Sequence, residues 1–496
     1  MKKMKKFYLT TSIAYTNSSP HLGFALELVQ ADVIARYQRL LGKKVYFSTG
    51  TDEHGLKIEK IAQEKGLSPK EFVDEIVFQY QELTKKLNIS QDDFIRTTDE
   101  KRHIPAVKKA WRILLKNGDL YKKRYQGYYC VGCEAFWLEK DLQGKKCPIH
   151  QQECVLVEEE NYFFRLSRYQ EKLLKVLSQE KIKIYPQSKK KEVITLIKKG
   201  LPDISFSRDR KKLNWGIEVP NDQTQVIYVW CDALINYLST IGYSNNLKKF
   251  NTFWPADLHC VGKDILKFHS LIWPAMLMSL KLPLPRAIFV HGFLTINGQK
   301  ISKSLGNVID PFYLIKKYNS ECLRYYLIKE IPTFNDGDFS EEKLIQRYNT
   351  ELADGLGNLV SRLFALSSAY KEGFILKPTK NELTEKSKKI IAKYQEKMEN
   401  YALEEAISIL WQLVKESNRY LNSEKPWAKN EGEKKKILTN SLGLLFLTLK
   451  WLSPVLPSST EKIFTHCHLS LKNEKEWFNK KIKINKIEPI FPKINP

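Results

Sequence analysis

The part of the sequence that decides the fold lies near the N-terminus, where residues 7–52 read FYLTTSIAYTNSSPHLGFALELVQADVIARYQRLLGKKVYFSTGTD. Residues 7–13 are typical of a β-strand. Apolar side chains then recur at helical spacing over residues 21–41, and Gly42 ends that helix. A second strand follows at residues 45–48. Strand, helix and strand in this order predict the start of a parallel, doubly wound α/β sheet of the Rossmann type.

The pattern is interrupted at about residue 118 by an aromatic, cysteine-containing segment and then a basic helical stretch to about residue 200. Strand-like runs resume at residues 226–230, 257–261 and 288–291. The simplest interpretation is one nucleotide-binding sheet split by an insertion. Two unrelated domains remain an alternative at this point.

Strand signals nearly vanish after about residue 340. Long amphipathic segments take their place, at residues 341–370, 383–421 and 434–456. This pattern predicts an α-helical bundle at the C-terminal end.

Composition limits the class of protein. The 496 residues exceed one typical core, and 43% of them are hydrophobic, which is enough for globular burial. No apolar run approaches the ~18 residues of a membrane span, and the N-terminus lacks a signal peptide, so we expect a cytoplasmic protein without a membrane. The formal net charge of +25 suits a polyanionic partner. A generally lysine-rich composition, unrelated to any partner, would account for about half of this excess charge.

Two paired motifs predict a metal site. Cys130-x-x-Cys133 and Cys147-x-x-His150 are separated by 13 residues and can place four ligands at the corners of a tetrahedron. Because all four positions are protein ligands, we expect one structural zinc ion rather than a catalytic one. The remaining cysteines, at positions 154, 231, 260, 322 and 467, show no pairing pattern, which favours a reducing compartment.

Two further motifs suit phosphate. Pro20-His21-Leu22-Gly23 lies between a strand and a helix N-terminus, where amides and the helix dipole favour anions. Lys300-Ile301-Ser302-Lys303-Ser304 places two lysines around a serine, and such ammonium groups can neutralise a reacting triphosphate. Taken singly, the first motif is more often a helix cap and the second a solvated turn.

Together and in this order, the two motifs resemble the paired ATP signatures of class I aminoacyl-tRNA synthetases. Within that class the chain is similar to the methionyl-tRNA synthetase family, in its single zinc-knuckle form, over nearly its whole length. The segments that carry the resemblance are 15–17, 21–23, 30–33, 50–55, 228–233, 262–265, 268–270, 273–275, 323–326 and 358–362.

The resemblance implies ATP-dependent ligation of L-methionine to tRNA(Met), including the initiator, through a methionyl-adenylate. It assigns His21, Lys300 and Lys303 to catalysis at the triphosphate. It places Gly23, Asp264 and Ser302 with these lysines at the nucleotide, and magnesium accompanies ATP. No protein nucleophile is required, since the substrate carboxylate attacks the α-phosphate and catalysis is mainly positioning and charge neutralisation.

The resemblance also implies a methionine pocket. A flexible apolar chain with a soft sulfur suits aromatic walls and one or two weak donors. Asp52 matches the residue that holds the substrate ammonium group. The other positions, most of which would be interpreted singly as core, are Ile13, Tyr15, Trp230, Ala233, Tyr237, Phe268, His269 and Trp273.

The family's anticodon readers correspond here to Asn358, Arg362 and Trp427. Asn358 and Arg362 are four residues apart and share a helix face, and an aromatic ring can stack on an unpaired base.

The resemblance predicts five segments and a monomer. They are 1–118, the first half of the catalytic domain; 119–220, an insertion with a zinc knuckle at 126–160; 221–325, the second half; 326–345, a linker with a stem-contact region; and 346–496, the helical anticodon-binding domain.

The sequence departs from the family pattern at four positions. Phe24 stands where the first ATP signature has its second histidine, and losing one donor to the transition state can reduce the rate by roughly 10²–10³. Ala14 and Leu234 replace prolines, and Ile301 replaces methionine in the lysine motif. Phe24 motivates the alternative of an RNA-binding paralogue without activity. A class I ligase for another apolar amino acid is disfavoured, because residues 119–220 are too few for a large editing insertion.

Overall fold

The computed structural model of the protein describes residues 5–130, 135–137, 139, 142–148, 151–300, 308–377, 379, 381–471 and 473–494. Its strands, in chain order, are β1 Lys6–Thr11, β2 Ala14–Tyr15, β3 Lys44–Asp52, β4 Asp93–Arg96, β5 Leu120–Cys130, β6 Ala135–Trp137, β7 Val155–Phe164, β8 Lys183–Tyr185, β9 Ile204–Ser205, β10 Ser207–Asp209, β11 Glu218–Val219, β12 Asp222–Ile227, β13 Leu258–Gly262, β14 Ala287–His291, β15 Leu294–Ile296, β16 Gln299–Lys300 and β17 Gly337–Asp338.

The α-helices are α1 Leu22–Leu40, α2 Leu56–Glu64, α3 Pro69–Lys86, α4 His103–Lys116, α5 Gln170–Ser178, α6 Gln187–Lys198, α7 Val229–Leu234, α8 Asn236–Ser239, α9 Leu247–Phe253, α10 Trp273–Ser279, α11 Pro311–Tyr318, α12 Ser320–Lys329, α13 Glu341–Arg347, α14 Asn358–Ser367, α15 Glu382–Glu399, α16 Leu403–Glu424, α17 Glu431–Leu452, α18 Pro457–His466 and α19 Glu474–Asn479. Segments of 3₁₀-helix lie at Leu166–Tyr169, Lys263–Ile265 and Pro426–Ala428, and of π-helix at Phe268–Ile272 and Tyr348–Gly357.

The chain forms two compact units. The first, called here the sheet unit, comprises Met1–Pro20, Lys44–Glu82 and Gln91–Val290. The second, called here the helical unit, comprises His21–Lys43, Leu83–Ser90 and His291–Pro496. Each unit is therefore built from three separate segments of the chain.

The sheet unit contains the parallel sheet that the sequence predicts, so the α/β fold class is confirmed. Its strand order is β2-β3-β1-β13-β14-β8, and β4 pairs with the outer side of β3. β1 pairs in parallel with both β3 and β13. Residues 7–11 are all buried, as expected for a central strand that is covered on both faces.

The position of β1 determines where ligands can enter this sheet. β3 follows β1 on one side, whereas β13 lies on the other side and comes about two hundred residues later. The strand order therefore changes direction between β1 and β13. In open α/β sheets, the crevice outside the carboxyl ends of such neighbours is the usual binding site.

The segment between the two halves of the sheet forms antiparallel structure of its own. β6, β5, β7 and β9 make a four-stranded sheet, in which the long β5–β7 ladder joins Leu120 to Phe164 and Tyr129 to Val155. β10, β12 and β11 form a second, three-stranded sheet. β8 lies in the same stretch of sequence, yet it pairs in parallel with β14 at the edge of the main sheet.

The strand expected over residues 226–230 is wrong in part. Val226 and Ile227 end β12, which belongs to the three-stranded antiparallel sheet and not to the parallel one. Val229 and Trp230 already lie in α7. A short run of apolar and aromatic residues has no clear period, so a strand end and a buried helical turn look alike in sequence.

A buried arginine ties the helical unit together. The Arg324 guanidinium is fully buried and pairs with Asp32 of α1 at 2.7 Å. It also donates to the carbonyl oxygens of Leu87, Pro454 and Val455 at 2.8–3.0 Å. Arg324 therefore joins α1, the segment after α3 and the turn that precedes α18.

The C-terminal region is α-helical, as the sequence predicts. The amphipathic stretch at residues 383–421 lies in two helices, α15 and α16, which are separated at residues 400–402, where Tyr401 adopts a φ of 58°. Trp427 lies in a 3₁₀ turn, and α17 begins later, capped by Asn430. None of the described helices combines the length and apolar character needed to cross a bilayer.

Candidate functional site

An aromatic cluster lies in the sheet unit on the elements around β13. Tyr237 of α8 donates through its hydroxyl to His269 Nε2 at 2.7 Å. The Trp273 ring lies 5.7 Å from the Tyr237 ring, and both side chains are buried. Three of the positions expected for methionine are thus brought together by α8, the π-helical segment Phe268–Ile272 and α10.

His269 is neutral in this environment. Its Nδ1–H donates to the Ile265 carbonyl at 3.0 Å, which leaves Nε2 as the acceptor for Tyr237. Burial lowers the pKa of His269 to about 4, although the Ile265 carbonyl and Asp264 oppose this shift. The cluster therefore offers aromatic carbon and a few weak polar atoms and no full charge, which suits a thioether.

His259 on β13 extends the cluster and was missed by the sequence analysis. The Trp273 indole N–H faces His259 Nε2 at 3.2 Å, so His259 carries its proton on Nδ1, 2.7 Å from the Thr10 hydroxyl. Burial lowers the pKa of His259 well below its ordinary value, and the nearby His269 adds to this. Its ring lies 4.4 Å from that of Tyr237.

A second aromatic pair lies on α7 and the π-helical segment. The rings of Trp230 and Phe268 stack with centroids 3.5 Å apart and planes within 7° of parallel. Both side chains are partly exposed, whereas Ala233, one turn after Trp230 on α7, is buried. The two expected pocket residues therefore contact each other.

Asp52 ends β3 at the carboxyl edge of the sheet. β2 pairs with this end of β3, which places Tyr15 beside Asp52 in the ladder. Thr16 then donates to the Asp52 carbonyl through both its amide and its hydroxyl at 3.0 Å. Ile13 lies between β1 and β2 and is half-buried. Asp52 is 9% exposed, as expected for a carboxylate that receives a small cation at a strand end.

Asp264 lies in the 3₁₀ turn after β13 and is exposed. It therefore follows the carboxyl end of the strand that neighbours β1, at the crevice described above. An acidic side chain at this point suits the hydroxyl groups of a ribose.

In the helical unit, His21 and Gly23 form the start of α1. His21 is the N-cap residue, and its carbonyl accepts from the Phe24 and Ala25 amides. A Cβ on Gly23 would lie 3.0 Å from two atoms of the His21 ring, so a larger residue would displace that ring. Phe24 is buried and has no polar atom to offer a phosphate.

A hairpin ends at Lys300, the first residue of the lysine motif. β15 and β16 pair across a turn in which Asn297 and Gly298 have positive φ, as a two-residue hairpin requires. The Asp338 carboxylate accepts from the Gly298 amide at 2.9 Å and the Thr295 hydroxyl at 2.8 Å, and these bonds hold its pKa below the ordinary value. Asp338 was not identified from the sequence. The Lys300 side chain and residues 301–307, which include Ser302 and Lys303, lie outside the described residues.

The predicted zinc ligands are only partly described. Cys130 and Cys147 are fully buried in one small cluster, and Cys133 and His150 lie outside the described residues. Cys154, which the motif spacing excluded, is buried in the same cluster. Among the residues that the structure describes, no three metal-ligating side chains converge on one point. The Cys130 and Cys147 thiols nevertheless lie in one cluster and are shielded from solvent, which fits a structural thiolate site.

The expected anticodon readers lie on the helical unit. The Arg362 guanidinium is 5.9 Å from the Trp427 ring and donates to the Asn422 side-chain oxygen at 2.9 Å. Trp427 is 53% exposed, which is unusual for a tryptophan. Asn358 is exposed at the start of α14, directly after a π-helical segment. Asn422 was not identified from the sequence.

Two family models match the chain. The family model described as tRNA synthetases class I (M) matches residues 7–155 and 137–364. The model described as the anticodon-binding domain of tRNA ligase matches residues 380–494.

Individual proteins are similar over most of the chain. A methionine–tRNA ligase of Thermotoga maritima is 45% identical over 95% of this chain and 76% of its own length. One from Bacillus subtilis is 39% identical over 98% and 78%. The structure of Mycobacterium tuberculosis methionyl-tRNA synthetase in complex with methionyl-adenylate superimposes with a TM-score of 0.92, at 34% identity, covering 99% of this chain and all of that one.

Proposed function

The chain belongs to the class I tRNA synthetases that act on methionine, and we propose that it ligates L-methionine to tRNA(Met), including the initiator, in the cytoplasm. The reaction is ATP-dependent and proceeds through a methionyl-adenylate. The observation that carries this proposal is the similarity, over nearly the whole chain, to a synthetase that binds methionyl-adenylate.

The aromatic cluster supports methionine as the amino acid. Tyr237, His269 and Trp273 provide a buried apolar wall, and the Tyr237–His269 hydrogen bond places weak polar atoms within it. A neutral His269 avoids a charge beside the uncharged sulfur. In the proposal, Ile13, Tyr15, Trp230, Ala233 and Phe268 complete this pocket, and Asp52 binds the substrate ammonium group.

Adenylate formation requires the methionine carboxylate to approach the α-phosphate of ATP. We assign the triphosphate to His21 at the start of α1 and to Lys300 and Lys303 of the lysine motif. The N-terminal amides of α1 add positive potential, and Gly23 lets the His21 ring pack against the helix. Positioning and charge neutralisation then supply the rate enhancement without a protein nucleophile.

Asp264 and Ser302 would bind elsewhere on the nucleotide. Magnesium, carried with ATP, would supply further neutralisation of phosphate charge. Zinc would be held by Cys130, Cys133, Cys147 and His150 and would stabilise the small segment around it.

The helical unit would recognise the anticodon. Trp427 offers an exposed aromatic face, and Arg362 and Asn358 can donate to base edges. We also propose a monomer, in which recognition of tRNA and activation of the amino acid use separate sets of side chains.

Aminoacylation of individual tRNAs tests this proposal. With methionine and ATP, purified enzyme should charge initiator and elongator tRNA(Met), and should not charge tRNA(Ile), which has a different anticodon. Charging of no tRNA, or equal charging of both kinds, would contradict it.

A further inference from the structure

A buried carboxylate in the sheet unit joins two histidines that are distant in sequence. His54 Nδ1 lies 2.6 Å from one oxygen of Asp232, and His103 Nε2 lies 2.7 Å from the other. Asp232 and His103 are fully buried, and His54 is 5% exposed. The chain of contacts continues from His103 Nδ1 to the Ser239 hydroxyl at 2.8 Å.

Members of this network lie next to expected methionine contacts along the chain. His54 comes two residues after Asp52. Asp232 lies between Trp230 and Ala233, and Ser239 comes two residues after Tyr237. None of the four residues of the network is itself one of the expected methionine-binding residues.

The helices that carry these contacts cannot hold their positions alone. α7 has six residues and α8 has four, well below the length at which a helix is stable by itself. His103, the first residue of α4, contacts both of them, through Asp232 on α7 and Ser239 on α8. Contacts with the rest of the unit therefore determine where α7 and α8 lie, and the contacts of His103 are among them.

Charge makes these contacts strong. Burial alone would raise the pKa of Asp232, but the attraction of His54 and the hydrogen bonds from both histidines bring it below the ordinary value. The carboxylate is therefore ionised and accepts from His54 Nδ1–H and His103 Nε2–H. Hydrogen bonds to an ionised acceptor are shorter and stronger than bonds between neutral groups. The two hydrogen bonds to Asp232 are of this kind and are directional.

We propose that Asp232 is a positioning residue for methionine recognition. Through His54 and His103 it holds α7 and α8 against the end of β3, so that Asp52 and Tyr237 face one substrate. This inference rests on the proposed function. It predicts an effect on methionine that is not shared by ATP, since three members of the network lie within two residues of expected methionine contacts along the chain.

The test is Asp232→Asn, which keeps the shape and removes the charge. In ATP–pyrophosphate exchange, loss of a charged hydrogen bond should raise the KM for methionine by about tenfold or more while the KM for ATP changes less than about twofold. A purely structural role would lower the active fraction and the melting temperature and leave both KM values unchanged.

The matched control is Asp257→Asn in the same unit. Asp257 is also buried and ionic, since it pairs with Lys6 at 3.1 Å and Arg286 at 3.0 Å, but it lies at the opposite end of β13 from Asp264. This variant should lose thermal stability without a change in the KM for methionine.

A second pair of variants covers the case in which Asp232→Asn does not fold. His54→Ala should raise the KM for methionine, and His54→Gln, whose amide can still donate to Asp232, should recover part of the loss. If the wild-type enzyme is active and the KM for methionine is unchanged in folded Asp232→Asn or in His54→Ala, the role proposed for Asp232 is wrong. The proposed function would still stand. Wild-type enzyme without methionine-dependent exchange would instead contradict the proposed function.

Discussion

His269 is a single side chain whose protonation links pocket chemistry to stability. Its pKa is about 4 in the folded chain because it is buried, against 6.5 for an ordinary histidine. The unfolded chain therefore binds the proton more tightly, so the stabilisation present above pH 6.5 is lost as the pH falls towards 4. The loss amounts to about 3 kcal/mol for this residue.

His269→Gln should remove the part of the free energy of unfolding that depends on protonation of His269. Denaturant unfolding of wild type and variant between pH 7 and pH 4 measures it, because the other titrating groups cancel in the difference. The gap between the two free energies of unfolding should narrow as the pH falls. A gap that is constant with pH would show that His269 is not a buried neutral base.

Phe24 provides a test of the altered ATP signature. A histidine at this position, next to the α1 N-terminus, would supply a phosphate donor that phenylalanine lacks. Phe24→His should raise the kcat of methionine activation, by up to about 10². Phe24→Leu, which adds no donor, is the control and should give no gain. An unchanged rate in Phe24→His would mean that other groups already serve the triphosphate.

At this scale the sequence indicates residue types better than their partners. Tyr237, His269 and Trp273 were expected near one another, and they are. His259, Asp338 and the Asp232 network were not expected, because their partners are more than 100 residues away, or lie on short elements that have no periodic signal. A buried polar residue is visible in sequence only once its neighbours are known.

In the proposed function, zinc would stabilise the small segment around Cys130 and Cys147. Purified protein should contain about one equivalent of zinc, and Cys130→Ser should lose it. Cys154→Ser is the matched control, since Cys154 is buried in the same cluster but lies outside the ligand spacing. Metal analysis that finds zinc lost equally from both variants would place Cys154 among the ligands, and zinc retained in Cys130→Ser would refute the site.

Trp427, on its 3₁₀ turn, is expected to contact tRNA through its exposed ring. Removing a stacking ring costs about 1–3 kcal/mol, so Trp427→Ala should raise the KM for tRNA(Met) by roughly 5- to 150-fold. Pyrophosphate exchange without tRNA should be unchanged. Tyr313→Ala, which removes another exposed ring of the helical unit, should alter neither value. A loss of exchange activity in Trp427→Ala would argue against a role confined to tRNA.

Elements with a clear period were predicted well, and those without one were not. α1 and the buried strands β1 and β3 follow directly from their apolar patterns. The segment 226–230 was assigned to a strand because an aromatic and apolar run fits either structure. The three residues of β8 carry no signal of their own, and only pairing with β14 makes them a strand.

For the whole molecule, the fold class was predictable and the division into compact units was not. The helical unit combines α1, near the N-terminus, with residues 291–496, and the ion pair between Asp32 and Arg324 joins the two segments. A buried arginine looks like a surface residue in sequence until its acidic partner is known. The family resemblance supplied the function, since the motifs taken singly indicate only phosphate binding and a metal site.

Amino-acid-dependent exchange of pyrophosphate into ATP tests the central claim most directly. Each of the twenty amino acids is supplied in turn to the zinc-loaded enzyme, with magnesium and without tRNA. We expect methionine to support rapid exchange, and leucine, isoleucine and valine to support little. No exchange with methionine, or faster exchange with another amino acid, would contradict it.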